Sequence, residues 1–326
     1  MERRQFLAGA GATLAALGAA PMRARAAAYP DKPIRLVVPF GAGGVADLTA
    51  RAVGQALGQR LGQSVVVDNR PGAGGVVAGD AVAKAAPDGY TLLLMSNGTA
   101  VSEGLFKRLP FDARKDFAPI SLLGRFDLAL VVPGSSKFKN LQELLDAARQ
   151  QPGKLNLGTV NVGSTQHLSA ELLKLSAQVD LQVVPFNGTP AVLTALRGGQ
   201  IDAAIEILSP LMPQIQAQGV RALAVLGDGR SPLLPQVPTA AESAGLKGFE
   251  VSSWNALAAP AKTPPDIVAR LASEARQVLE SAALKKQLAD LNVQARASSP
   301  EQLAALLDSE IKRWSDVIAR AKIPRQ

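Results

Sequence analysis

The residues best suited to bind something are the glycines of Gly41-Ala42-Gly43-Gly44, which break an apolar run from Ile34 to Phe40 and precede a helical pattern opening at Ala46. Glycines in such a turn let backbone approach a ligand closely, and the amides of the following helix N-terminus favour an anion. Three readings stay open: a cradle for a small anion, a structural tight turn, and a dinucleotide fingerprint. The last arises because Gly41 to Ala46 satisfies G-x-G-x-x-A and Asp68 closes the next strand, where a ribose-binding acid belongs. Asp47 falls in the first turn of the helix, where its plain role is to complement the helix dipole, worth about 0.3–1 kcal/mol. A second junction, Asn161-Val162-Gly163-Ser164-Thr165, offers amides and two hydroxyls, with His167, the one histidine of the chain, just beyond. Ser164 or Thr165 could equally be a helix cap and His167 a structural residue. Two anion-ready junctions, one in each half, suit a cleft that grips a carboxylate from both sides.

Catalytic patterns are missing. The chain has no G-x-S-x-G elbow, no H-E-x-x-H and no P-loop ending in Gly-Lys-Ser/Thr. With one histidine and no cysteine, His- and Cys-based metal sets, a thiol nucleophile, disulfides and a lipidated cysteine all drop out. No metal or cofactor is expected. Asp202 and Glu206 lie four apart on an expected strand and so share a face, but an ion pair or solvated edge explains them as well as paired-carboxylate chemistry.

The elements that must position these groups alternate. Strands are expected at Ile34 to Phe40, Ser64 to Asp68 and Thr91 to Ser96, with helices over Ala46 to Leu61 and from Pro71 to Ala85. The pattern restarts with strands at Leu128 to Val132, Leu155 to Val160, Leu181 to Pro185, Ile201 to Ile207 and Arg221 to Leu226. Helices fall at Leu141 to Ala148, around Leu168, Leu172 and Leu175, and over Val192 to Leu196. An extended stretch, Val251 to Ala259, precedes helices at Pro265 to Ala283 and Pro300 to Ala321. The last opens on Ser299-Pro300-Glu301-Gln302, a capping box with proline at its first position. Such alternation implies two α/β units with mostly parallel sheets.

At 326 residues, with 47% hydrophobic and 19% charged residues, the chain can bury a core in about two domains, and 4% aromatics makes that core aliphatic. Arg3 and Arg4, an apolar run from Phe6 to Ala20, and the small-residue stretch Ala24 to Ala28 read as an export signal of the twin-arginine kind, cleaved near Ala26 or Ala28. The mature protein is then periplasmic. Residues 1–28 hold four arginines and one glutamate, so +5 of the formal +8 belongs to the remainder. That is a mild bias toward anions, and the scattered Lys and Arg make no nucleic-acid footprint.

Several blocks together resemble the Bug family, the extracytoplasmic solute receptors of tripartite tricarboxylate transporters. They are Tyr29 to Gly44 with Asp47, Asn69 to Gly75, Val82 to Leu92, Gly163 to Leu168 followed by Glu171-Leu172, Val184 to Gly188 with Pro190-Ala191, and Gly198 to Asp202. Six blocks in order, spanning nearly all of the mature chain, are specific where one would be weak.

The resemblance implies a two-lobed periplasmic binding-protein fold of type II-like α/β architecture with two crossovers. Residues 29–128 plus 250–326 then form lobe 1 and 129–249 lobe 2. It also implies that the loop Phe40, Gly41, Ala42, Gly43, Gly44 and the loop Gly163, Ser164, Thr165 hold a ligand carboxylate from opposite lobes, with Asn97 and Thr99 lining the same cleft. In this reading Asp47, Asn97, His167 and Glu206 test the rest of the molecule. The ligand is a di- or tricarboxylate, an acidic amino acid or an aromatic acid, and the receptor is a monomer that serves a large and a small membrane subunit. Asn161, Glu206 and Trp254-Asn255-Ala256-Leu257 depart from the family's usual glycine, aspartate and Trp-aromatic-Gly. An exported NAD- or NADP-linked oxidoreductase, with Asp68 on the ribose, and a ligand-loaded sensor for a signalling partner are the alternatives.

Overall fold

The protein is described by a computed structural model over residues 29–326; the expected export segment lies outside these residues. β1 (Ile34–Val38), β2 (Val65–Asn69) and β3 (Thr91–Ser96) pair in parallel, connected by α1 (Val45–Leu61) and α2 (Val76–Ala83). Ile34, Leu36, Val37 and Val38 are all fully buried, because helices cover both faces of the sheet, and this is why the run shows no alternation. α1 ends at Gly62, whose left-handed backbone lets its N–H return to the Gly58 carbonyl.

The second unit has β5 (Asn156–Val160) parallel to both β6 (Gln182–Phe186) and β7 (Ala203–Ile207), with α5 (Thr165–Ala177) and α6 (Thr189–Arg197) as crossovers. α4 (Leu141–Gln150) precedes β5, α7 (Leu208–Gln216) leads from β7 to β8 (Val220–Val225), and the short α8 (Ala240–Ala244) follows β8. The two units are joined by one long strand. β4 (Phe117–Pro133) pairs with β9 (Ser252–Pro260) from Phe117 to Asp127, then with β7 and β8 from Leu128 onward. The strand order is β2-β1-β3-β9-β4-β7-β5-β6, with β8 and the short β10 (Gln294–Ala295) also on β4.

The βαβ units are parallel as the alternation implies, yet among the described residues five of the nine pairings are antiparallel, because β4, which passes from one unit into the other, and β9 run against their neighbours. Only the second half of β4 was expected. Residues 117–127 carry two register shifts against β9, at Pro119/Ser121 and Leu122/Gly124, which interrupt the period of two that marks a strand. α3 (Asn97–Leu105) was not expected either. Its Gly98, Thr99 and Gly104 are poor helix formers, and it is held by a capping box between Ser96 and Thr99 and by packing on α11 (Pro300–Arg320).

The C-terminal helices return to the first lobe. α9 (Pro265–Glu280) packs on α1 and β4, and α11 on α3 and β4. The single helix expected over 265–283 is two. Ser281 is extended and its Oγ accepts from the Leu284 amide, so it caps α10 (Ala282–Asp290). α11 carries the expected capping box, with Ser299 and Gln302 exchanging bonds and Pro300 in the first turn. It buries Leu303, Leu307, Ile311, Trp314, Val317 and Ile318 along one stripe. Each such side chain contributes roughly 1.5–3 kcal/mol by leaving water.

Candidate functional site

A cavity of about 910 Å³ opens between the lobes. Its walls are built from the starts of helices. Gly44, Val45 and Ala46 begin α1, Ser96 and Gly98 begin α3, Ser164, Thr165 and Gln166 begin α5, Gly188 and Thr189 begin α6, and Ile207, Ser209 and Pro210 begin α7. First-turn amides have no carbonyl one turn earlier to bond. Five helix N-termini therefore point partial positive charge at one space, each worth about 0.3–1 kcal/mol toward an anion. Among the described residues that line it there is no lysine, arginine or histidine. Attraction of an anion therefore falls to neutral groups, working against one carboxylate at the rim, Asp290. The rest of the lining mixes apolar side chains, among them Phe40, Val101, Phe106, Phe126 and Val162, with the polar Ser102, Asn161, Ser253, Asn255 and Gln326.

Of the residues singled out from sequence, Phe40, Gly41, Gly43, Gly44, Gly163, Ser164 and Thr165 line this cavity together. Ala42 is exposed on the loop and outside this lining, and the buried Asp47, Asn97, Thr99, His167 and Glu206 are not part of the lining either. Asp47 is 1% exposed and is fully engaged by the loop itself. Its Oδ2 accepts from the Gly43 amide at 2.8 Å and from Arg51 Nε at 3.0 Å, and its Oδ1 accepts from Asn69 Nδ2 at 2.8 Å. Burial alone would raise its pKa, but the bonds from Arg51, Gly43 and Asn69 prevail and hold the carboxyl below its ordinary value. Asp47 is thus the brace of the first loop. The Gly43 N–H is consumed by that brace, so the first loop's free donors are the α1 first-turn amides. Gly43 itself needs its φ of +86°, where a side chain is strained.

Asn97 bridges the lobes. Its Nδ2 donates to Thr165 Oγ1 at 2.8 Å, at the mouth of α5, and its Oδ1 accepts from Trp314 Nε1 at 2.9 Å on α11. Thr99 accepts the Ser96 amide as part of the α3 cap. His167 lies in the first turn of α5, its amide donating to Ser164 Oγ at 3.0 Å. Burial, then the charge of Lys174, lowers its ring pKa, so the imidazole is neutral at physiological pH. Gly163 meets lobe 1 directly. A β-carbon there would stand 2.3 Å from Leu105 Cδ2.

Glu206 on β7 is fully buried. Its Oε2 accepts from Gln166 Nε2 at 3.3 Å, Thr189 Oγ1 at 3.1 Å and the Ile207 amide at 3.2 Å, while Oε1 has no partner. Gln166 and Thr189 line the cavity, so Glu206 orients the second lobe's wall from behind. Asp202, its supposed strand partner, lies before β7 and accepts the Asn156 amide at 2.8 Å instead. Burial raises the Glu206 carboxyl above its ordinary value against the pull of those three donors. The native state then keeps this proton to a higher pH than the unfolded chain, so stability falls as pH rises through that interval. Glu206→Gln is therefore expected to melt higher than the wild type at pH 8, by about 2–4 °C for each kcal/mol relieved. The gain should vanish near pH 4, and equal melting temperatures at pH 8 would show that the carboxyl carries no such strain.

The dinucleotide reading meets a direct obstacle. Asp68 at the end of β2 is paired with Arg70 at 2.8 Å and Arg35 at 3.7 Å, leaving the acid engaged where a ribose would need it. The sequence matches the family described as tripartite tricarboxylate transporter family receptor over residues 49–323. The chain belongs to that family. It is a family of binding receptors, not of enzymes. The periplasmic binding protein BugD is similar to this receptor at 31% identity, covering 91% of this chain and all of that one, with a TM-score of 0.78. An R. palustris protein solved with adipate is 34% identical over 91% of this chain and 99% of that one, at a TM-score of 0.80. MatC from Rhodopseudomonas palustris, solved with bound malate, is 35% identical over 89% and 100%, at 0.76.

Sequence reasoning missed the α6 and α7 ends of the receptor's cavity, and Gln166, Thr189 and Asn255 with them. Gly188-Thr189-Pro190 does carry a signal, since proline in a first turn marks a helix start. Asn255 stood out only as a departure from the family's Trp-aromatic-Gly, and its place in the cavity wall comes from β9 pairing with β3 and β4.

Proposed function

We propose that this receptor captures a small carboxylate-bearing molecule in the periplasm, closes on it, and hands it to a large and a small membrane subunit. The observation that carries this reading is the convergence of five helix N-termini from both lobes on one cavity whose described lining has no cationic side chain. One carboxylate is taken by the first-turn amides of α1 and by Ser164 and Thr165 at α5. Support for the ligand class comes from the relatives solved with adipate and malate. Lobe 1 is residues 29–128 with 250–326 and lobe 2 is 129–249. The chain acts as a monomer, and it leaves the cytoplasm by the twin-arginine segment at residues 1–28. No helix of the described residues is long and apolar enough to cross a membrane.

Closure is favoured by whatever the ligand binds better in the closed form, and the Asn97 to Thr165 bond is one contact that spans the lobes. A thermal-shift panel on the mature protein tests the reading. Mono-, di- and tricarboxylates, acidic amino acids and aromatic acids are set against NAD and NADP. A ligand at 100 times its Kd adds about 2.7 kcal/mol, which raises the melting temperature by roughly 5–10 °C. A shift with one carboxylate class supports the receptor; a shift with a nucleotide alone overturns it. Gly43→Val tests the cradle. A β-carbon at Gly43 meets nothing within 4 Å, so the fold should survive, while the side chain enters the cavity and its positive φ strains the loop. Binding of the panel's best ligand should weaken by about 100-fold or more, and unchanged affinity would remove the first loop from the site.

A further inference from the structure

Asn255 sits on β9, level with Ser96 of β3 on one side and Gly124 of β4 on the other. It is 1% exposed, and neither its Oδ1 nor its Nδ2 has a hydrogen-bond partner. Asn255 and Ser253 share the face of the strand that forms the cavity floor, and both line the cavity, whereas Trp254 turns to the opposite face and packs in the core with Trp314. Buried amides are almost always satisfied, so an amide with no partner inside the protein, at the wall of a cavity, calls for one from outside it, a ligand atom or an ordered water.

We propose that Asn255 is the specificity-determining residue of the cleft, reading a neutral group on the ligand, set apart from its carboxylate, that both donates and accepts hydrogen bonds. This rests on the carboxylate reading above. An amide presents one acceptor and two donors. An ammonium group can use only its oxygen, and a second carboxylate only its nitrogen; either leaves half of a buried amide unpaired. A hydroxyl gives its proton to Oδ1 and accepts from Nδ2, and a carboxamide pairs with both atoms in one plane. The neighbourhood agrees in character, since the floor beside Asn255 offers Ser253, Phe126 and the Ser96 end of α3, with no charged side chain among them. The ligand class is therefore a hydroxy- or carboxamide-bearing organic acid.

Matched pairs measured by calorimetry on the mature protein test this. They are malate against succinate, 4-hydroxybenzoate against benzoate, and succinamate against butyrate. In the pairs that bind, the polar member is expected to bind about tenfold or more tightly, because the plain member leaves the amide unpaired. Preference within the first two pairs assigns the hydroxyl; preference within the third assigns the carboxamide. Asn255→Leu, which keeps the shape, should bring each ratio to within about twofold. Asn255→Ser serves the same comparison if the leucine variant does not fold. Equal binding of both members by the wild type, or a preference that survives both substitutions, overturns the role of Asn255 and leaves the carboxylate site standing. Absence of binding by every carboxylate overturns the site and this role with it.

Discussion

Gly163→Val is expected to reduce affinity for the receptor's ligand by about 100-fold or more, equivalent to about 2.7 kcal/mol, in a protein that remains folded. Two physical terms act together. Gly163 has φ of +82°, a region where a β-branched residue is strongly strained. Its β-carbon would also fall 2.3 Å from Leu105 Cδ2, the buried last residue of α3 in the opposite lobe. Relief of the clash requires Leu105 to move or the two lobes to part, and either displaces Ser164 and Thr165 from the first loop across the cavity. The terms are separable. Gly163→Ala should weaken binding less than valine does, and adding Leu105→Ala should recover the part due to the clash while the part due to φ persists. Calorimetry on the single and double variants reads this directly. Full recovery in the double variant would mean that backbone strain contributes nothing, and wild-type affinity for Gly163→Val would place the second loop outside the site.

Asp47→Ala is expected to cost about 2–4 kcal/mol of stability, the range for removing a buried carboxylate from several donors, and to abolish measurable ligand binding. The carboxylate ties the Gly43 amide, Arg51 and Asn69 together, and Asn69 in turn reaches the Phe40 carbonyl at 3.0 Å and accepts from Arg51 at 3.1 Å. Without it the loop loses the brace that sets the α1 N-terminus toward the cavity. The pH dependence gives an independent signature. Because the folded-state pKa of Asp47 is held below its ordinary value, its contribution is complete above the unfolded pKa of about 3.9 and is lost as pH falls through the lower folded value. Denaturant melts should show a wide gap between wild type and variant at pH 7 that narrows below about pH 4. A gap constant with pH would mean that the carboxylate charge is not what braces the loop.

Both predictions concern residues marked by sequence, and the reasons for their importance differ in kind. Gly41 to Gly44 and Gly163 to Thr165 were legible because a glycine-rich turn between an apolar run and a helical period is a local pattern, and the chain needs nothing distant to form it. For the same reason the βαβ units, the Ser299 capping box and the stripe of α11 could be read directly. The role of Asp47 could not. Sequence places it in a first turn with the freedom to face a ligand or a dipole; only the approach of Asn69 from the end of β2 turns it inward.

Tertiary structure decided what depends on partners far apart in the chain. The first half of β4 is a strand because β9, more than 120 residues later, pairs with it through two register shifts, and a period interrupted by bulges leaves no trace in a short window. α3 is a helix because α11 packs on it from 200 residues away, against the weak propensity of its own glycines. Asn97 and Asn255 are chemically alike in sequence. One is held at both ends by Thr165 and Trp314, and the other has no side-chain partner in the protein. Sequence by itself determined the two α/β units and the two glycine-bearing loops that meet at the cavity, since periodicity and turn chemistry act over a few residues. How the lobes cross, which acids brace rather than bind, and which amide is left free were decided by long-range pairing, since a buried polar group is satisfied or not by whatever distant elements bring beside it.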